Sequence, residues 1–433
     1  MLRNILFLFI GFILINAGSS PSIPNSGGGP SVTSQDMLKQ MALNTQLKMI
    51  DTLVYSKKYK VAIKRLRNLE QQYPQNADIE NYLGYSYRKL EQLGKSAMHY
   101  QNALTINPMH LGALEYQGEL FILYKQYDKA KNIADYFSGI LLLNQSKYSE
   151  SYKYLKKLDG LETNHSNYRS KYLYALISSE NFNQAFIFSK KLEKEKSGIF
   201  ESDIIMGIYY LKNSRHDLAK KFFLKANNRN SRSILDNYIA NTLYFWSDLE
   251  NKNFEKAQVS IDLLDNRFEN LKKIQKVFLS CFYKQPITGN SFTQLISNQK
   301  TDFSRYNYFY AKYLKSIGKE NKAKKVIESS LKQYPRNLLL NQYKRDLETK
   351  KNNFEFNCNE EKDVLAELIY IAANALSSQG LYSLSNFYLN LAKYLNKNFY
   401  AFDPLLAENF YKINDLSTAK EIFQRSKNYG SAF

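Results

Sequence analysis

The chain has 433 residues, 44% of them hydrophobic, with 8 Pro and 17 Gly, which excludes a disordered or collagen-like protein and allows a large buried core. Its 60 Lys and Arg against 40 Asp and Glu give a net charge of +20, a balance that suits an acidic partner, an anionic surface or nucleic acid. Basic residues are interleaved with acids, as from Lys190 to Lys196, so no continuous basic stripe is legible, and the abundance of Lys, Asn, Tyr, Phe and Ile reads as compositional bias.

The amino terminus reads as a secretory leader. Arg3 precedes an apolar run from Ile5 to Ile15, followed by small Ala17, Gly18, Ser19 and Ser20. The run is too short to span a bilayer, which takes roughly 20 residues. Cleavage after Ser19 fits better than cleavage after Ala17, and an uncleaved inner-membrane anchor over residues 5–15 is the alternative. Residues 20–35, rich in Ser, Gly and Pro, form a flexible linker.

From residue 36 onward apolar residues recur at helical spacing, and a stride of 34 appears. It carries Pro74 to Pro108, Ala62 to Ser96 to Ala130, and Gly84 to Gly118. A first unit starts at Leu43, with Tyr59, Ala62, Leu66 and Pro74 but Ile50 where a glycine is expected. A second starts at Ala77, with Leu83, Gly84, Tyr87, Ser96, Tyr100, Ala103 and Pro108, and departs only at Glu80. A third starts at Leu111, with Gly118, Phe121, Tyr127 and Ala130.

The stride then breaks, because Gly139 follows Gly118 by 21 residues instead of 34. The helix near residues 128–137 is shared between units or lost, and the break reads either as a domain junction or as a local deletion. A new frame runs from Asn132 with Gly139, Tyr148, Ser151 and Leu155. It continues from Ser166 with Tyr172, Phe182 and Ala185, and from Phe200 with Gly207, Ala219, Phe223 and Ala226. After a slip at Phe245, Trp246, Phe254 and Ala257, residues 271–303 read as an irregular segment broken by Pro286 and Gly289. A clean unit returns from Ser304 with Ala311, Leu314, Ala323, Ile327 and Pro335. An insert near residues 350–363 precedes two further units at Ala366 and Tyr400, and another unit is due just beyond Phe433, so either the last repeat caps itself or the array is truncated.

These positions resemble the tetratricopeptide repeat family, strongly over residues 43–131 and more weakly after 240. The resemblance implies an all-α, right-handed superhelical solenoid of antiparallel helix pairs in one or two arrays. The expected organisation is a leader at 1–19, a linker at 20–35, a first array at 36–131, a second at 132–270, the irregular segment at 271–303 and a carboxy-terminal array at 304–433. The resemblance also implies a concave groove lined by the first helix of each unit. Carried over by position, the groove residues are Asp51, Tyr55, Asn81, Tyr85, Arg88, Lys89, Glu115, Glu119, Tyr174, Tyr308, Lys312, Lys315, Tyr370 and Asn374. Aromatic and Arg anchors among polar groups suit capture of a peptide or partner helix. The family's carboxylate clamp is not expected, because its Lys and Asn places hold Leu47 and Asp51, then Asn81 and Tyr85.

Signs of chemistry are weak. His99, His110, His165 and His216 fall in no metal-binding spacing, and His99 reads as a surface or interhelix residue. Cys281 and Cys358 are too far apart for a metal motif and too few for a disulfide framework, so the reading is two buried free thiols, with a bond between them the alternative in an oxidising compartment. Glu115 and Glu119 lie four apart on one helical face, more a peptide-facing wall than an acid and base pair. The expectation is a non-enzymatic scaffold of the bacterial envelope or periplasm that binds a protein or peptide. It has no cofactor, metal or small-molecule substrate, and it touches a membrane only through an uncleaved leader. The alternative is a nucleic-acid-binding helical repeat that uses the positive charge.

Overall fold

The computed structural model describes residues 34–108, 110–158, 160, 167–229, 234–249, 252–264, 266–297, 303–349 and 356–426. The leader and nearly all of the linker lie outside these residues, as does the chain after Ser426. The described residues are helical throughout, with 22 α-helices and no strand among them. None of those helices is long and apolar enough to cross a membrane. Their contacts divide the chain into two compact units, one ending at Ser179 and the other beginning at Glu180. The expected break near residue 131 instead falls inside a continuous helix.

The first unit comprises α1 Ser34–Tyr55, α2 Tyr59–Gln72, α3 Ala77–Lys89, α4 Leu93–Ile106, α5 Leu111–Leu123, α6 Tyr127–Asn144, α7 Tyr148–Leu155 and α8 Tyr168–Ser178. Successive helices pack on one another. The small residues mark where. A Cβ at Gly84 would lie 2.6 Å from the ring of Tyr100, and one at Gly139 would lie 2.6 Å from Leu155 Cδ2. Ser151 Oγ donates to the Gly139 carbonyl at 2.7 Å, which shows how closely the two backbones approach. On the 18-residue α6, Ile133 packs toward Gly118 of α5 while Gly139 receives Leu155 of α7. One helix therefore closes the third unit and opens the next, so the break in stride is a shared helix.

The second unit comprises α9 Phe182–Lys194, α10 Phe200–Lys212, α11 His216–Asn227, α12 Ile234–Trp246, α13 Phe254–Asp262, α14 Glu269–Phe282, α15 Thr288–Ile296, α16 Tyr306–Ser316, α17 Glu320–Gln333, α18 Leu338–Thr349, α19 Glu361–Ser378, α20 Tyr382–Leu395, α21 Asp403–Lys412 and α22 Leu416–Ser426. The described part of the segment expected to be irregular, residues 271–297, is instead built from α14 and α15, which pack as an ordinary helix pair. Pro286 lies in the turn between them, ahead of the first turn of α15, where a missing N–H costs nothing.

The backbone repeats more faithfully than the side chains. Left-handed residues end the first helix of a pair at Lys57, Glu91 and Lys125, then at Ser146, Glu180 and Ser214, then at Lys284 and Gly318, and finally at Gly380 and Asn414. Within each group the spacing is the same stride of 34. At most of them the next residue's N–H returns five positions, as in Gln92 to Tyr87 and Gln285 to Ser280, both forming the closing bond of a Schellman turn. Lys284 and Gly318 share a stride, which makes α14–α15 a unit in phase with α16–α17.

The second unit departs from a simple solenoid, in which each repeat touches only its neighbours. Helix α19 packs on α12 and α14, and α20 packs on α10, so segments expected in separate arrays form one body. Thirteen positions of α19 are buried. An aromatic core of Phe278, Tyr306, Tyr308, Phe309, Phe356 and Phe399 fills the space beside it.

The cysteines depart from the expected free thiols: Cys281 of α14 and Cys358 ahead of α19 form a disulfide, with Cα atoms 5.8 Å apart. Packing of α19 onto α14 is what brings together positions 77 residues apart.

The glycine crossings give a direct stability test. Replacing Gly84 with Ala gains up to about 1 kcal/mol of helix propensity, but the new Cβ meets a fully buried Tyr100 ring that cannot swing away. A net loss of about 1–3 kcal/mol is expected, read as a lower urea midpoint. Gly94→Ala, which meets nothing within 4 Å, is expected to leave the midpoint unchanged or slightly raised.

Candidate functional site

The first helices of the amino-terminal pairs position the strongest cluster. Helix α3 starts where the Asn76 side chain accepts the N–H of Ile79, and it carries Asp78 and Glu80 in its first turn and Arg88 and Lys89 in its last, signs that complement the helix dipole. Helix α5 starts at His110, whose Nδ1 accepts the Ala113 N–H while Nε2–H donates to Asp78 at 3.0 Å. That hydrogen bond holds the Asp78 carboxyl below its ordinary value. Leu83, Gly84 and Tyr87 turn α3 toward the core, which leaves Asn81, Tyr85 and Arg88 half-buried and Lys89 exposed on the remaining face.

On that face Tyr85 and Tyr116 lie 5.1 Å apart by ring centroids, and Tyr59 meets the edge of Tyr85 at 6.5 Å. The Arg88 guanidinium sits 4.9 Å from the Tyr116 centroid and 5.4 Å from that of Tyr85, and it pairs with Glu119. Lys89 Nζ lies 5.2 Å from the Tyr85 centroid as well. Tyr82 donates to Asp51 at 2.5 Å, and burial first, then that carboxylate, pushes its phenol up. Burial likewise raises the Tyr116 phenol, with Glu115 and Tyr85 adding to it. The result is a wall of tilted and edge-on tyrosines and cations edged by Asp51, Glu115 and Glu119, suited to an amphipathic chain segment.

Of the expected groove residues, Asp51, Tyr85, Arg88, Lys89 and Glu119 meet here through these contacts, with Asn81 half-buried on α3 and Glu115 exposed on α5. Tyr55 is 91% exposed at the end of α1. Tyr174 is half-buried on α8. Sequence reasoning missed Tyr59, Tyr82 and Tyr116, although Tyr82 and Tyr116 stand one stride of 34 apart and so were legible as an equivalent pair.

In the second unit Tyr308 and Tyr370 are not groove residues. Tyr308 is fully buried against Tyr343 and Phe399, and Tyr370 is buried against Phe402 and Arg305. The physical reason is the packing of α19 and its neighbours into the space that a solenoid would leave open. Lys312 and Lys315 are half-buried on α16 and line a cavity of about 540 Å³ with Phe292, Phe309, Phe356 and Cys358. Asn374 is half-buried, and its carbonyl accepts the Ser378 hydroxyl.

His99 is an interhelix residue, buried and stacked on Tyr87 at 5.3 Å. Glu70, Glu80 and His99 bring potential metal-ligand atoms within 4.8 Å of one another. Arg67 already fills that space: its guanidinium donates to Glu70 at 2.8 Å and approaches His99 Nε2 at 3.1 Å. A guanidinium cannot accept, so Nε2 must, and the proton lies on Nδ1, which donates to Glu80 at 2.7 Å. Burial pushes the Glu80 carboxyl up, but the hydrogen bonds from His99 and Asn102 outweigh it and hold it below its ordinary 4.5. The arrangement is a satisfied ion-pair network with Arg67 as its cation.

No family model matches the chain, and no curated protein matches it. Among solved structures it is similar to Naa15/Naa10 bound to HypK-THB, at 13% identity and TM-score 0.28, covering 89% of this chain and 63% of that one. The chain thus spans less than two thirds of that structure's length. It is also similar to the P58(IPK) TPR domain, at 13% identity and TM-score 0.21, covering 89% of this chain and 99% of that one. At such scores the fold reading rests on this chain's own helix pairs.

Proposed function

We propose that this chain is a non-enzymatic protein-binding scaffold that captures a peptide or partner helix on the face formed by α1, α3 and α5. The observation that carries the reading is the tilted Tyr85 and Tyr116 pair with the Arg88 guanidinium over both rings, held by Glu119 and presented from helices. Such a wall offers large contact area at little entropic cost to itself. Cations there are interleaved with Asp51, Glu115 and Glu119, which disfavours nucleic acid on this face.

The test compares the wild-type protein with Tyr85→Ala/Arg88→Ala in capture from envelope extract. Both proteins should have the same helicity, and the variant should retain a specific wild-type partner about 30-fold more weakly or worse, as for a hot-spot pair worth 2 kcal/mol or more. Recovery of nucleic acid alone by the wild type, or equal capture by both proteins, overturns the reading.

The same proposal places the chain in the bacterial cell envelope or periplasm. The leader-like residues 1–19 support export, and so does the Cys281–Cys358 bond, since disulfides persist in oxidising compartments. Mass spectrometry of the mature protein is expected to find Ser20 at the amino terminus. A terminus at Met1 in a membrane fraction selects the anchored form.

A further inference from the structure

Within the second unit, the ends of α10, α20 and α22 and the starts of α9 and α21 border an open pocket of about 430 Å³, inside the range of small-ligand pockets, about 300–1,000 Å³. Phe182 and Tyr394 pack together at 4.5 Å and give it an aromatic floor. Lys212, Lys393, Lys397 and Arg425 supply four cations, against Glu180 and Asp403.

The pairing leaves two positive charges unmatched. Lys393 donates to Glu180 at 3.1 Å and its ammonium lies 3.0 Å from Oδ1 of the buried Asp403 as an ion pair, and Arg425 donates to the other Asp403 oxygen at 3.4 Å. Those four residues neutralise one another. Lys212 Nζ donates instead to the Tyr394 carbonyl and lies 3.7 Å from the centroid of the Tyr394 ring, neutral partners both. Among the described residues neither Lys212 nor Lys397 has a carboxylate in ion-pair range, while Asp403 Oδ1 and Arg425 Nε are each buried without a hydrogen-bond partner. Like-charged neighbours disfavour one another's charged form, as Lys397 and Lys362 do to Lys212, and an anion bound between them offsets that.

We propose that this cavity binds a phosphomonoester dianion, with Lys212 and Lys397 as its counter-charges and Phe182 and Tyr394 seating its organic group. Two unmatched ammonium groups call for two negative charges on one ligand, and Lys suits phosphate as a point charge. Burial, then the charges of Lys397 and Lys362, lower Lys212 to about 8. Glu180, Lys393, Asp403 and Arg425 complete its charged surroundings. A bound dianion opposes those effects and raises the Lys212 value, so binding near pH 8 takes up protons and weakens as the pH rises further.

The experiment titrates the full chain with phenyl phosphate, inorganic phosphate and benzoate by calorimetry at pH 8, in two buffers of different ionisation enthalpy. Phenyl phosphate is expected to bind saturably below about 10 mM, more tightly than either other probe and with net proton uptake. Lys212→Met and the exposed-site variant Lys397→Ala are each expected to weaken it about tenfold, the loss of one charge-assisted contact. The proton uptake should vanish in Lys212→Met. Inorganic phosphate binding as well as phenyl phosphate removes the aromatic seat from the proposal. Benzoate binding as tightly as phenyl phosphate, no saturation by phenyl phosphate, or unchanged affinity in Lys397→Ala overturns it.

Discussion

Reduction of the Cys281–Cys358 bond is expected to destabilise the second unit by about 4 kcal/mol, because the bond closes a loop of 77 residues and loop-closure entropy lost from the unfolded chain grows with loop length. The loop contains α15 to α18, so the bond fastens α14 to the segment that leads into α19. Hydrogen exchange should show protection falling in α14 to α19 on reduction, while α1 to α8, which contain no cysteine, keep theirs. A Cys281→Ala/Cys358→Ala variant should have the lower midpoint with or without reductant. An oxidised protein whose urea midpoint is unmoved by reductant would mean that helix packing alone holds this region. Because Cys358 also lines the cavity beside Lys312 and Lys315, reduction is further expected to loosen the walls of that cavity.

Many of the helix pairs were legible because a tetratricopeptide-like pair leaves a physical residue signature. Where two helices approach closely one side must be small, and Gly84, Gly139 and Gly207 each accept a large side chain from the following helix, Tyr100, Leu155 and Phe223. The shared helix α6 was visible as a break in stride, although sequence alone could not tell sharing from loss. The α14–α15 pair was hidden for a local reason. Its left-handed turn residue is Lys284, which carries no glycine signal, and Pro286 sits where proline is harmless. The disulfide and the burial of Tyr308 and Tyr370 were hidden for a non-local one. The disulfide and Tyr370 depend on α19 packing against helices about a hundred residues earlier, α12 and α14, and Tyr308 on Phe399 beyond α20, and nearest-neighbour repeat logic contains no term for such contacts.

The same packing sets the second large effect. Arg305, at the start of α16, donates from Nε and Nη2 to the two carboxylate oxygens of Glu367 on α19, at 2.7 and 2.8 Å. Glu367 is wholly buried, and the guanidinium lies 4.0 Å from the centroid of Tyr370. Burial by itself would lower the Arg305 value, but Glu367 more than offsets it and the arginine stays charged. Arg305→Met alone strands a carboxylate and is expected to cost about 3–5 kcal/mol, as is Glu367→Leu alone, which strands the guanidinium. The double variant Arg305→Met/Glu367→Leu should lose much less than the two singles together, because no buried charge remains. A double-mutant cycle in urea reads that coupling, and simple additivity of the singles would remove the pair from any role in fastening α16 to α19.

The Arg305→Met variant should also acquire a pH dependence of definite sign. Burial pushes the Glu367 carboxyl above its ordinary 4.5, and Arg305 pulls it back only in part. Without the arginine, the folded state holds a proton that the unfolded state releases above 4.5, so stability falls as pH rises through that window. The deficit against wild type is therefore expected to be smallest below pH 4.5 and to grow above it. A merely steric defect at Arg305 would leave the difference flat with pH, and Glu367→Leu and the double variant, neither with a carboxyl to titrate there, should differ from each other by an amount flat with pH as the control.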